Sequence, residues 1–174
     1  SWPLRLLSWF LMGFISLQFG LIGHDGVHGA IHRKRWVNTL FGHISLTCMA
    51  GLGFKYFQWE HLDHHHHCQR EESDPAIVQD KVISYCETHV EREKGIEKHV
   101  LPLQGYYFWP LTLLFIFKLR IQSFYYIFAD FKRAKSDLLL LVHLSIWLVF
   151  PTMFGLATLE TVLVNYFMTS LLAG

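Results

Sequence analysis

The apolar residues of this chain fall into long blocks separated by polar segments. The first block runs from Leu4 to Gly23 and carries one charge, Arg5, near its start. A run of about 20 apolar residues is long enough to cross the hydrocarbon core of a bilayer as a helix. The block is too long for a cleavable signal peptide, and it ends abruptly at His24-Asp25. It therefore predicts a transmembrane helix.

Four further apolar stretches follow: Val37 to Phe57, Tyr106 to Phe131, Leu138 to Ala157 and Val162 to Ala173. The first of these, the stretch Val37 to Phe57, contains polar residues and glycines, so it is a poorer candidate for a transmembrane helix than the block before it. Charges at Lys118 and Arg120 interrupt the second, whose Tyr and Trp residues favour a membrane interface. The polar segment between them predicts a water-exposed region with some helix. The pattern as a whole predicts an all-α integral membrane protein in which interfacial or re-entrant helices accompany the transmembrane helices.

Composition adds one unusual feature. The chain has 174 residues, of which 52% are hydrophobic, and a net charge of +1, which gives no indication of nucleic-acid binding. Its three cysteines, Cys48, Cys68 and Cys86, are odd in number and form no CxxC pair, which argues against a disulfide framework or a zinc knuckle. Twelve histidines remain to be explained.

The first histidine cluster is an HxxxH pair, His24 and His28, where the first apolar block ends. Residues four apart on a helix lie about 40° from each other around its axis. Both imidazoles can therefore reach one metal site if the helix continues past Gly26.

The second cluster is an HxxHH pattern formed by His61, His64 and His65. On a helix these three side chains share an arc of about 100°, whereas His66 and His67 fall outside it. Imidazole is a good ligand for iron and zinc, so two such clusters together indicate one shared metal site. Three adjacent carboxylates could accept the second ring N–H of ligand histidines and so fix their tautomers, namely Asp25, Glu60 and Asp63.

The other histidines have simpler interpretations. His43 and His143 lie within apolar stretches, where packing is the favoured role over a functional one. His32, His89 and His99 are expected to be solvated.

Two segments resemble the membrane fatty acid desaturases. HDGVH at 24–28, followed by Arg35-Trp36-Val37-Asn38, resembles the first histidine box and the sequence after it. Trp59 to His65, followed by Asp74-Pro75, resembles the second box. The third box of that family is missing, and Tyr166 to Gly174 resembles the helix before its remaining ligands. The resemblance implies that residues 1–174 are a partial desaturase domain that is inactive alone.

The resemblance also implies a chemistry. Two iron ions would be held by His24, His28, His61, His64 and His65, and the reaction would use O2 and two electrons to place a double bond in a fatty acyl chain. The implied partners are a lipid-, CoA- or carrier-bound acyl substrate, membrane lipid, and ferredoxin or cytochrome b5 as electron donor.

A shared site constrains the topology, because both boxes must lie on one side of the membrane. Val37 to Phe57 therefore lies at the interface or re-enters, Tyr106 to Phe131 runs along or dips into the membrane, and the last two stretches form a hairpin. The basic runs Arg33 to Arg35 and Lys132 to Lys135 place the boxes on the cytoplasmic face.

Three alternatives stay open from the sequence. A hydroxylase or ketolase of the same superfamily shares the boxes and would give an oxygenated product. A membrane metal-binding or transport protein would also need histidine clusters, but along a pathway within the membrane. A structural membrane protein with incidental histidines would bind no iron.

Overall fold

Helices form all the regular structure in the part of the chain that the computed structural model describes, residues 2–78, 82–92, 94–155 and 158–173. The chain forms two compact units. The first comprises Ser1–Gln58 and Leu113–Gly174, and the second comprises Trp59–Thr112. This all-helical architecture confirms the predicted fold class.

Helix α1, Trp2–His28, is the one described helix that is by itself long and apolar enough to cross a membrane. Its large apolar side chains are largely exposed, for example Trp2 at 66% and Leu4 at 67%. Such a surface is unfavourable in water and suits lipid. On its packed side, a Cβ on Gly23 would lie 2.5 Å from the Cβ of Leu46, so only glycine permits this approach.

Two short elements follow α1: α2, Arg35–Gly42, and a π-helix, His43–Ala50. Gly51 ends the π-helix with a φ of 77°, a left-handed conformation that favours glycine. Helix α3, Phe54–His67, then begins, and the chain bends by 108° between the two helical segments. The bend agrees with the predicted interfacial or re-entrant course of Val37 to Phe57.

The rest of the first unit contains α8 (Phe115–Ala129), α9 (Phe131–Ala134), a 3₁₀-helix (Lys135–Leu139), α10 (Leu140–Leu144), a π-helix (Ser145–Val149), α11 (Phe150–Met153) and α12 (Thr158–Ala173). Helix α12 packs along α1 and also against α8. A small core forms where Ile127, Ala134 and Leu140 meet. The predicted stretch Leu138 to Ala157 ends outside the described residues.

The second unit contains the histidine-rich part of α3, followed by α4 (Pro75–Val78), α5 (Glu87–Arg92), α6 (Glu97–Val100), a 3₁₀-helix (Leu101–Leu103) and α7 (Gln104–Thr112). Two side chains of α7 bond to the polar segment before α5. The Tyr107 hydroxyl donates to the carbonyl of Val82, and Gln104 Oε1 accepts from the amide of Ser84. The helices between Pro75 and Val100 are short, and they agree with the predicted segment that contains some helix.

Candidate metal centre

The first histidine pair lies in the last turn of α1. The helix continues through Gly26 to His28, and the rings of His24 and His28 have centroids 4.6 Å apart. The ring of His24 also lies 6.3 Å from that of Phe57, which precedes His61 by one turn in α3. The i, i+4 spacing thus brings the two imidazoles together on one helix face, as predicted.

The loop that follows this pair is fixed by one buried amide. Asn38 Oδ1 accepts from the amides of Ile31 and His32 at 3.1 and 3.0 Å, and its Nδ2 donates to the carbonyls of His32 and Lys34. Asn38 is 6% exposed. The Asn of the Arg35-Trp36-Val37-Asn38 motif therefore holds the chain as it leaves the first histidine pair.

The second cluster forms one face of α3. The ring centroids of His61 and His65 are 4.5 Å apart, and those of His64 and His65 are 5.7 Å apart. The Nε2 atoms of His61 and His65 approach to 3.1 Å. His66 is exposed, and His67 Nδ1 bonds instead to Asp63 at 3.0 Å. The predicted division between three grouped imidazoles and two outside the group agrees with this arrangement.

A buried carboxylate orients one member of this cluster. Asp74, 1% exposed, accepts a hydrogen bond from His64 Nδ1 at 2.8 Å. The same carboxylate accepts from the amides of Gln69 and Ala76, which closes the turn after α3 around it. With its proton on Nδ1, the neutral His64 ring presents the lone pair of Nε2 for a metal.

The electrostatics at Asp74 favour its ionised form. Burial alone would raise the pKa of this carboxyl group, but the hydrogen bonds from His64, Gln69 and Ala76 outweigh that effect, so the pKa is lowered. A carboxylate that stays ionised keeps accepting the proton of His64 Nδ1.

The carboxylates proposed from adjacency lie on the same helices as the histidines, Asp25 on α1 and the other two on α3. Asp25 Oδ1 is 3.7 Å from His24 Nδ1, Asp63 bonds to His67, and Glu60 lies half-buried on α3. Asp74 also bonds to a histidine of the second cluster, and the sequence marked it only as part of the Asp74-Pro75 motif. It reaches His64 because the chain turns back after α3.

Two histidines outside the clusters are buried in the first unit, which agrees with the packing role favoured for them. His43 is 7% exposed and contacts the ring of Phe54. His143 is 2% exposed and bonds through Nδ1 to the carbonyl of Cys48 and through Nε2 to the hydroxyl of Tyr166.

Arg120 is a polar residue whose burial the sequence did not indicate. Its exposed fraction is 5%, it donates to the carbonyl of Ala50, and its guanidinium carbon lies 3.4 Å from the centre of the Tyr166 ring. It therefore belongs to the interior of the first unit, where it binds the carboxyl end of the π-helix.

The donor atoms fit a transition metal. Imidazoles grouped on one helix face suit iron as well as zinc, and a carboxylate that bonds to the second ring nitrogen of a ligand histidine is typical of such sites. His64, Cys68 and Asp74 also place one possible ligand atom each within 4.8 Å of the others. Each histidine set, taken by itself, offers nitrogen ligands of the kind that a transition metal binds.

Comparisons with known proteins give the chain a context. The family model described as fatty acid desaturase matches residues 1–174. An acyl-lipid (9-3)-desaturase of Borago officinalis is 26% identical over 68% of this chain, and an sn-1 oleoyl-lipid 12-desaturase of Picosynechococcus sp. is 39% identical over 38% of it. A beta-carotene 4-ketolase of Protosiphon botryoides is 32% identical over 43% of it.

The chain covers only 29%, 18% and 20% of the lengths of these three relatives, respectively. No solved structure matches this chain. The match over residues 1–174 therefore shows the family of the chain, whereas the relatives share only a part of their length with it.

Proposed function

Because this chain belongs to the fatty acid desaturase family, we propose that it forms part of a membrane oxidoreductase that introduces a double bond into a fatty acyl chain. In this proposal residues 1–174 are part of the desaturase domain. The observation that carries it is the pair of grouped imidazole sets, one ending α1 and one on α3, in a chain whose whole length matches the family model.

We propose that His24, His28, His61, His64 and His65 hold two iron ions. Support comes from the close spacing within each set and from the Asp74 carboxylate, which fixes the ring of His64. When bound, the iron pair supplies the O2 activation and the oxidation of an unactivated carbon chain. The protein's own contribution is to orient the imidazoles, as the Asp74 carboxylate does for the ring of His64.

The substrate in this proposal is a fatty acyl chain carried by a lipid, CoA or a carrier protein. Two of the relatives named above are acyl-lipid enzymes, which favours the lipid-borne form. The exposed apolar surface of α1 gives the chain access to the membrane in which such substrates lie.

The electron donor in this proposal is ferredoxin or cytochrome b5, which would supply two electrons per turnover. The exposed basic runs support a cytoplasmic position for the histidines.

The second candidate is an oxygenase of the same superfamily, a hydroxylase or ketolase. The similarity to a beta-carotene 4-ketolase favours it, because the match shows that related sequences are not confined to desaturation. The two candidates differ in their products: desaturation yields an alkene, whereas the alternative leaves oxygen on the substrate carbon.

Product analysis distinguishes them. The full-length protein that carries this sequence is expressed in a host lacking the corresponding activity, and its lipids are analysed by gas chromatography and mass spectrometry. We expect a new alkene that disappears in His61→Ala and persists in His66→Ala, the matched control, because His66 is exposed and lies outside the grouped set. A hydroxylated or keto product without an alkene would refute desaturation.

Iron content tests the metal assignment separately. Purified protein should contain iron that is lost in His61→Ala and retained in His66→Ala. Equal iron in the two variants, or none in the unchanged protein, would overturn the assignment whatever the products are.

A further inference from the structure

The amino-terminal end of α3 is held by side chains from outside the helix, most of them distant in sequence. The first amides of a helix have no partner within it, and here four of them bond to side chains. Ser123 Oγ accepts from the amide of Gly53 at 3.0 Å, and Thr47 Oγ1 accepts from that of Phe54 at 3.1 Å. The remaining two amides, those of Lys55 and Tyr56, bond to Asp137.

Asp137 is the central group of this arrangement. Its side chain is fully buried, its Oδ1 accepts from the amide of Lys55 at 3.0 Å, and its Oδ2 accepts from that of Tyr56 at 3.1 Å. It lies 82 and 81 residues further along the chain than these partners. A negative charge at this position also interacts favourably with the dipole of the helix.

The local sequence is adapted to admit this carboxylate. A Cβ on Gly53 would lie 2.6 Å from Asp137 Oδ2, so a side chain there would displace the group. The Nδ1 atom of His43 lies 3.8 Å from Asp137 Oδ1 and faces it from the π-helix. The carboxylate therefore lies between the beginning of α3, the π-helix and its own 3₁₀-helix.

We propose that Asp137 is a positioning residue for the second histidine cluster: by binding the first turn of α3, it sets the direction in which that helix presents His61, His64 and His65. Tyr56 and His61 are five positions apart, which is about one and a half turns of a continuous helix. A change in the first turn is thus transmitted to the ligands by the helix backbone. The inference rests on the proposed function, because it takes these histidines as metal ligands.

The role differs from that of a group that only stabilises the fold. Burial raises the pKa of the Asp137 carboxyl group, and the hydrogen bonds from Lys55 and Tyr56 only partly counter this. The buried charge therefore has a desolvation cost that its bonds do not fully offset. Removing the charge is expected to change the overall stability less than it changes the order of the first turn of α3.

The experiment compares two aspartates that both cap helices. Asp137→Asn keeps one acceptor oxygen and Asp137→Ala keeps none. The matched control is Asp130→Asn, because Asp130 caps its own helix α9 by accepting from the amide of Arg133 and is not among the partners of α3. The probe is Co2+ alone, added to the purified full chain and followed by its visible absorption, with amide hydrogen exchange at Lys55 and Tyr56 as the structural readout.

We expect Co2+ affinity to fall roughly tenfold in Asp137→Ala, to fall less in Asp137→Asn, and to stay unchanged in Asp130→Asn. The amides of Lys55 and Tyr56 should lose about tenfold in protection in the same order. Gly53→Ala should reproduce the Asp137→Ala spectrum, because the added methyl group displaces the carboxylate.

Unchanged Co2+ affinity and unchanged spectrum in Asp137→Asn and Asp137→Ala would overturn the inference while leaving the proposed function intact. Absence of Co2+ binding by the unchanged protein would overturn the proposed function, and the inference with it. If the Asp137 variants do not fold, Ser123→Ala decides, since it removes the acceptor for Gly53 and, besides that, only a bond within α8 to the carbonyl of Leu119. Weaker Co2+ binding at unchanged helix content supports the inference, and unchanged binding overturns it.

Discussion

The two helices that carry the histidine clusters are held by different forces. The end of α1 is held by close apolar packing, in which Gly23 lets the helix approach Leu46. The beginning of α3 is held by hydrogen bonds to buried side chains, with Asp137 as the main acceptor. The close approach at α1 leaves no room for one added methyl group, whereas the hydrogen bonds at α3 depend on the angle between donor and acceptor. The end of α1 is therefore fixed by shape, and the beginning of α3 by directional polar contacts.

The largest effect is expected at Asp74, because this carboxylate bonds directly to a proposed metal ligand, His64. Asp74→Ala removes the acceptor for His64 Nδ1 and frees the ring to rotate. Loss of such a partner lowers metal affinity by roughly 10–100-fold. Co2+ titration measures this, with Asp63→Ala as the control because Asp63 holds His67 instead. Equal losses in the two variants would show that the Asp74 contact has no special role.

The close packing of α1 against Leu46 is tested by adding one methyl group at Gly23. Gly23→Ala places a Cβ 2.5 Å from that of Leu46 and should cost roughly 1–3 kcal/mol of stability through overpacking. Gly20→Ala is the matched control, since a Cβ there meets nothing within 4 Å, and it should be neutral or stabilising by up to about 1 kcal/mol. Thermal unfolding in detergent measures both. A neutral Gly23→Ala would mean that α1 adjusts its position freely.

A smaller and more local effect is expected at the loop after α1. Asn38→Ala removes the acceptor for the amides of Ile31 and His32, at a cost of roughly 1–2 kcal/mol. Hydrogen exchange at these two amides should accelerate. Asn38→Asp keeps the acceptor oxygen but faces the carbonyls of His32 and Lys34 with a second one, so it should restore protection only in part. Full protection in Asn38→Ala would contradict this role.

The smallest effect is expected from a single side-chain hydrogen bond in the first turn of α3, between Tyr56 and Gln122. Tyr56→Phe removes the hydroxyl that donates to Gln122 Oε1 at 3.0 Å, which should cost about 1 kcal/mol. For a chain of this size that corresponds to a decrease in melting temperature of about 2–4 °C. Tyr125→Phe is the control, because Tyr125 is 73% exposed. A larger decrease for Tyr125 would contradict the assignment of the bond to the network.

Several features of the site follow from local sequence. The approach of His24 to His28 and of His61 to His65 is a property of i, i+4 spacing on any helix, and the apolar block after Leu4 requires only its own length to form a span. Patterns of this kind are predictable because they involve neighbours along the chain. The family resemblance seen in the two histidine motifs is confirmed by the match over residues 1–174.

Other features depend on contacts that no local pattern contains. Arg120 was predicted only to interrupt an apolar stretch, yet it is buried and binds the carbonyl of Ala50, 70 residues earlier in the chain. The π-helix His43–Ala50 was also not foreseen, since its widened turn depends on what packs against it.

The sequence by itself determined the helical class, the membrane character and the grouping of imidazoles within each helix, because these depend on periodicity and composition over a few turns. Only the tertiary structure decided that Asp74 bonds to His64 and that Asp137 bonds to the first turn of α3. Asp137 reaches α3 across 82 residues, and Asp74 reaches His64 by a turn that folds back on the helix. The physical reason is that a buried carboxylate bonds to whichever donors the folded chain places within about 3 Å, and that placement is not encoded in residue spacing.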